Sequence, residues 1–169
     1  MKGTSWTLLL LVAVVALAGF TVHKQMTHLP SGYLETRQIE RHLSILNGTA
    51  NYPHIYRQVS ERAIVLYSRM FTYAPKTKDL FVSARLFQQI ALLLLAYAVY
   101  RKMGLKPGTA LLGLGLFTLC AASAWRDSNL SFETYSEVML MLAAVGVFRS
   151  YHHRWLVPIS ILAAFNREV

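Results

Sequence analysis

Charge is what this 169-residue sequence has least of: only 15% of its residues are Asp, Glu, Lys or Arg, and only 8 are acidic. An ordinary soluble domain carries about 25% charged residues, so this chain is too poor in charge to be one. Cysteine occurs once, at Cys120 inside an apolar run, which excludes an intrachain disulfide and leaves the redox compartment unreadable. No phosphate-cradling glycine loop, zinc-ligand spacing or nucleophile-triad signature occurs, so neither a metal nor a cofactor is expected. The adjacent His152 and His153 cannot point the same way from a helix, and beside Trp155 they read as interfacial histidines. Nor is there a basic tract with interleaved aromatics outside membrane-flanking positions, which excludes nucleic acid as a partner. The net charge of +9 points instead to anionic lipid headgroups or phosphate-bearing ligands.

What the chain does have is apolar length: 54% of its residues are apolar and its mean hydropathy is +0.37. Residues 80–100 and 109–125 form two such runs, joined by a turn holding Arg101, Lys102, Gly104, Lys106 and Pro107. A helix rises about 1.5 Å per residue, so about 20 residues cross a hydrocarbon core. A soluble hairpin would need a polar stripe on each helix, and between Ile90 and Val99 there is none. A further apolar run covers 5–22. Ala16-Leu17-Ala18 within it also fits a secretory signal cut after Ala18, but the run continues to Val22, which favours an uncleaved first span. Another apolar stretch covers 131–148. The last, 155–169, has about 16 Å of apolar helix and stops at Asn166-Arg167-Glu168-Val169, so it reads as a span cut short. The expected fold is an all-α polytopic transmembrane bundle of four to five spans in a single membrane domain, 1–169.

Residues 23–79 form the one substantial polar region, an outward loop with two amphipathic helices. Ile39, Leu43 and Leu46 give the first an apolar stripe, closed by Asn47-Gly48-Thr49. Ile55, Val59, Ala63, Leu66 and Met70 line one face of the second. Both suit elements lying in the membrane interface, or equally a small cap packed on the bundle. Thr77 with Asp79 marks the start of the next span. Arg101, Lys102 and Lys106 in one short turn, and Arg149 and Arg154 in another, have no acid beside them. The positive-inside rule puts both turns and the N-terminus in the cytoplasm, which for a bacterial protein means the inner membrane. The long loop dissents, with eight Lys/Arg against four acids, but loops approaching about 60 residues follow the rule poorly.

One span, a long outward loop with two amphipathic helices, then closely spaced spans: this order resembles the N-terminal part of GT-C-type integral-membrane glycosyltransferases. Pro53-His54-Ile55-Tyr56-Arg57 in the loop, Arg85 and Gln88 opening the second span, and Ala163-Ala164-Phe165-Asn166-Arg167-Glu168 at the end carry the local likeness. Val169 stands where bacterial proteins of this broad type have a Thr. The resemblance implies transfer of a sugar from a polyprenyl-phosphate donor on the outer face. An acid would receive the acceptor hydroxyl's proton, and cations would neutralise the departing phosphate. The family's acid is often an Asp soon after the first span. Here no Asp precedes Asp79, and Glu35 is nearest by position, with Glu40 one turn further on. By the same resemblance Tyr56, Arg57 and Arg85 become candidates for phosphate or lipid binding.

Each candidate also has a plainer reading. Glu35 and Glu40 suit solvated charges on a surface helix. Arg57 and Glu61 stand at i, i+4 and would pair. Arg85, about one turn inside its span, would snorkel to the outer interface. Asp127, Glu133 and Glu137 form an acidic outer-face group, in which Glu133 and Glu137 share a helix face and read as a wet helix end. The alternative to an enzyme is a small non-enzymatic polytopic protein, a partner subunit or lipid-interacting scaffold, with membrane lipids as its partners.

Overall fold

A computed structural model of the chain describes residues 2–50, 58–71, 76–123, 130 and 132–166. The long apolar runs are helical and overshoot their apolar limits. The first helix, α1, covers Lys2–Met26 and ends on His23 and Lys24. The fourth, α4, covers Thr77–Lys102 and ends on Arg101 and Lys102. Cations in a last turn offset the negative end of the helix dipole, which lets each helix run on past its apolar part. The chain then turns through Gly104 at φ +90°, a left-handed conformation that glycine adopts without strain. Pro107 opens α5, Pro107–Ser123, at the first helical position, where a missing N–H costs nothing. After it come α6, Phe132–Arg149, and a single 3₁₀ turn at His153–Trp155 leading into α7, Leu156–Asn166.

Every regular element among the described residues is helical. Two helices, Ser5–Met26 and Thr77–Lys102, are long and apolar enough to cross a membrane. The other three expected spans are shorter: α5 has 17 residues, α6 has 18 with Glu133, Glu137 and Arg149 among them, and α7 has 11.

The polar region folds into two short helices. After a turn through Gly32 at φ +74°, a π-helical turn at Leu34–Gln38 leads into α2, Ile39–Leu46. Gly48 at φ +69° follows its end, as the Asn-Gly-Thr stop predicts. Helix α3 covers Gln58–Ser68. Neither helix buries the face its apolar periodicity suggests. The inward face of the α2 segment holds Leu34, Gln38, His42 and Ile45, while Leu43 is half-exposed. Helix α3 buries Ser60, Glu61 and Ile64 and leaves Leu66, and Met70 just beyond its end, outside. Polar groups on the bundle attract the polar faces inward, and hydrogen bonding there offsets the cost of burying them.

Helix α4 is the central post, packed against α1, α5 and α6, while α7 returns along α6 and meets α3. Two apolar cores sit at different levels along it. The lower comprises Leu93 and Ala96 with Val14 and Ala18 of α1 and Leu114 of α5. Gly113 lets α5 approach closely there, since a Cβ would lie 3.0 Å from the Tyr100 ring. The upper core gathers Phe81 and Ala84 with Leu34, Ile64, Leu130 and Phe132. At the far end of α4 the Lys102 ammonium donates to the Ser150 hydroxyl, which brings the two basic turns to one end of the bundle.

Candidate functional site

Between the two apolar cores α4 presents Arg85, Gln88 and Gln89, and polar side chains of α1 and α6 and a backbone carbonyl of α5 converge beside them. Arg85 is 1% exposed, so it does not snorkel to the interface. Its guanidinium lies over the Tyr135 ring at 4.0 Å and the Phe132 ring at 4.7 Å. The Arg85 Nη1 donates to Gln88 Oε1 at 2.7 Å. Gln88 in turn donates to the Phe132 carbonyl at 2.9 Å and to the Ser136 hydroxyl at 3.0 Å. Stacking on two aromatic faces replaces part of the hydration that a buried cation loses, and Arg suits this better than Lys because its charge is planar and weakly hydrated.

Tyr135 ties the belt together. Its hydroxyl accepts from Gln25 of α1 and donates to the Ala121 carbonyl of α5 at 3.2 Å. One side chain of α6 thereby joins α1, α4 and α5. Gln89, one turn beyond Arg85, is fully buried.

A second polar layer lies toward the loop. Glu133 is buried and bonded to Arg41 of α2, so it is not a wet helix end. The backbone carbonyl of Glu133 accepts from Asn166 of α7 at 3.0 Å. Beside it His42 Nδ1 stands 2.5 Å from Glu61 Oε2, joining α2 to α3, with the imidazole edge-on to Phe81. Among the described residues Glu61 therefore pairs with His42, while Arg57, its expected partner, lies outside them.

The remaining candidates separate. Glu40 is exposed and meets Arg37 at 3.9 Å on the surface, a contact worth little. Glu35 is exposed and lines a small cavity of about 180 Å³ with Lys78, at the junction of the α1 end and the α4 start. Glu137 is half-buried one turn beyond Glu133. Tyr56, Arg57 and Asp127 lie outside the described residues. Among the described residues no three His, Cys, Asp or Glu side chains group to hold a metal.

A groove of about 320 Å³ opens beside the belt between α3, α4 and α6. Its walls carry Ala63 and Leu66 of α3, Met70 just beyond its end, Phe87 and Ala91 of α4, and Met139 of α6. Three members of the apolar stripe that periodicity assigns to this segment, Ala63, Leu66 and Met70, therefore line this groove, while Ile55 lies outside the described residues.

The sequence singled out Arg85, Gln88, Glu133 and Asn166, and the structure brings these to the two polar layers. It passed over Gln25, Arg41, His42, Gln89 and Tyr135. Polar residues recurring at i, i+4 in a helix, as in Gln38/His42 and Arg85/Gln89, were the available signal. Comparison with protein-family models, curated proteins and solved structures finds no match for this chain.

Proposed function

We propose that this chain is a multi-pass integral membrane protein that works on or alongside lipid through its intramembrane polar belt. The observation that carries this is the outer face of α1. Leu8, Leu9, Val12, Val15 and Phe20 expose between 47% and 64% of their surface. Fully burying such a side chain gains roughly 1.5–3 kcal/mol, so at about half exposure these five together gain roughly 4–8 kcal/mol on entering hydrocarbon, comparable to the whole stability of a marginal soluble domain. A core helix of a soluble protein would bury these residues. On α5, Leu112, Leu116 and Leu119 extend the same surface, and on α7 Val157, Ile161 and Phe165 do so. In this setting α5, α6 and α7 complete the bundle, with the basic turns at the cytoplasmic end and the loop helices packed against its outer half. An ionisable group held inside a membrane bundle marks a functional position, and here that group is Arg85.

Single cysteines in a Cys120→Ser background test the topology. A membrane-impermeant maleimide added to sealed cells should label Lys24→Cys at once, and Met103→Cys and Tyr151→Cys only after permeabilisation. Equal labelling of all three in sealed cells, or a chain that stays monodisperse in plain buffer, would sink the assignment.

A second reading is glycosyl transfer from a polyprenyl-phosphate donor, carried by the family resemblance. Glu35 and Lys78 support it, since they put a carboxylate and a cation around one small cavity at the outer end of both long helices. Glu35 would accept the acceptor hydroxyl's proton, and Lys78 would offset charge on the leaving phosphate. Its test is sugar incorporation from a polyprenyl-phosphate sugar in membranes holding the protein. Glu35→Gln should abolish transfer at unchanged expression, and full activity in that variant would end the enzymatic reading.

A further inference from the structure

We infer that the groove between α3, α4 and α6 holds one acyl chain of a bilayer phospholipid. The inference rests on the membrane assignment above and adds a ligand and a place. None of the groove's lining residues carries a formal charge. Two of the polar side chains on its walls, Gln88 and Ser136, are already engaged with each other and with the bundle. Both amide hydrogens of Gln88 go to Phe132 and Ser136, its oxygen accepts from Arg85, and the Ser136 hydroxyl donates to the Phe132 carbonyl at 2.9 Å. An extended peptide needs a partner for every backbone N–H and C=O and would find few on walls this apolar, whereas a hydrocarbon chain needs none.

Position favours the same occupant. Phe87 and Ala91 lie ten and fourteen residues into α4, about 15 and 21 Å along a helix that is long enough to span the membrane. The groove therefore opens at the depth where acyl chains are the solvent. Its rim is apolar and open, with Leu66, Met70 and Phe87 exposed by 65%, 76% and 62%. Met70 and Met139 add flexible thioethers that adapt to a chain of changing shape. A volume of about 320 Å³ lies at the small end of ligand pockets, enough for one chain and not for a whole two-tailed lipid.

The test uses the full chain in nanodiscs of phosphatidylcholine doped with a phosphatidylcholine bearing a diazirine at mid-acyl depth. After photolysis, peptide mapping should find label concentrated on groove residues of α3, α4 and α6 relative to the outer face of α5. Ala91→Trp fills the groove and should lower that labelling about tenfold, whereas Leu116→Trp on the α5 face should leave it unchanged. Ala63→Trp, at an exposed position on α3, should act like Ala91→Trp and covers the case in which the α4 variant misfolds. Even labelling of all lipid-facing helices, or groove labelling indifferent to both tryptophans, would overturn the inference while leaving the membrane assignment standing. Groove residues cross-linked to a second copy of the chain would overturn it too. No label on any helix would overturn both.

Discussion

Replacing Glu61 with Ala should lower the thermal midpoint of this protein by about 6–12 °C. Glu61 and His42 meet at 2.5 Å with side chains 1% and 8% exposed, so neither has water to fall back on. Removing one member leaves the buried imidazole without its hydrogen-bond partner, which costs about 1–3 kcal/mol, and the near-complete burial of both side chains puts this pair at the upper figure. For a chain of this size about 1 kcal/mol corresponds to roughly 2–4 °C, which gives the stated range. Glu61→Gln keeps an acceptor facing the imidazole and should cost about 1 kcal/mol, the worth of one ordinary hydrogen bond. Leucine at both positions removes donor and acceptor together, and should lie within about 4 °C of wild type. Circular dichroism at 222 nm on protein in mild detergent reads these midpoints, and with His42→Leu and Glu61→Leu as the singles a double-mutant cycle isolates the pair. A loss under about 2 °C for Glu61→Ala, or a double variant as destabilised as the summed singles, would refute the claim that this contact joins α2 to α3.

Three other outcomes are expected. Arg85→Lys keeps the charge but loses the planar stack on Tyr135 and Phe132, and should lower stability by about 2 kcal/mol in the same melt; an unchanged midpoint would remove the stacking role. Tyr151 is 86% exposed and held at φ +57°, so Tyr151→Gly should raise stability by about 1 kcal/mol, and a loss would mean that its ring contact with His153 outweighs the backbone strain. Cys120 is exposed on α5, where the proposed bilayer would surround it. In intact vesicles it should therefore resist a charged maleimide that reacts fully once the protein is in SDS, because a charged reagent does not enter hydrocarbon; prompt labelling in vesicles would place α5 in water.

Much of the architecture was legible from the chain alone because the forces involved are local. Long runs dominated by apolar residues and free of interior Pro favour the helix, and α1 and α4, both long and apolar enough to cross a membrane, follow from that. Gly32, Gly48 and Gly104 marked the turns they occupy because each needs a backbone conformation that other residues resist. Even the shared side of the two basic turns could be read, since cations in short loops carry that information directly.

The tertiary structure alone decided which face of each helix turns inward. Periodicity assumes that apolar means buried, yet α3 buries Ser60 and Glu61 and leaves Leu66 open, because His42 offers Glu61 a partner inside. Arg85 was expected to reach for water, but two aromatic rings brought from α6, fifty residues away, hold it inside. Glu133 was expected to be wet, and Arg41, brought across from α2, buries it. The sequence determines how much apolar surface each helix must hide from water. Which polar groups meet depends on contacts between residues far apart in the chain, and no local pattern encodes those.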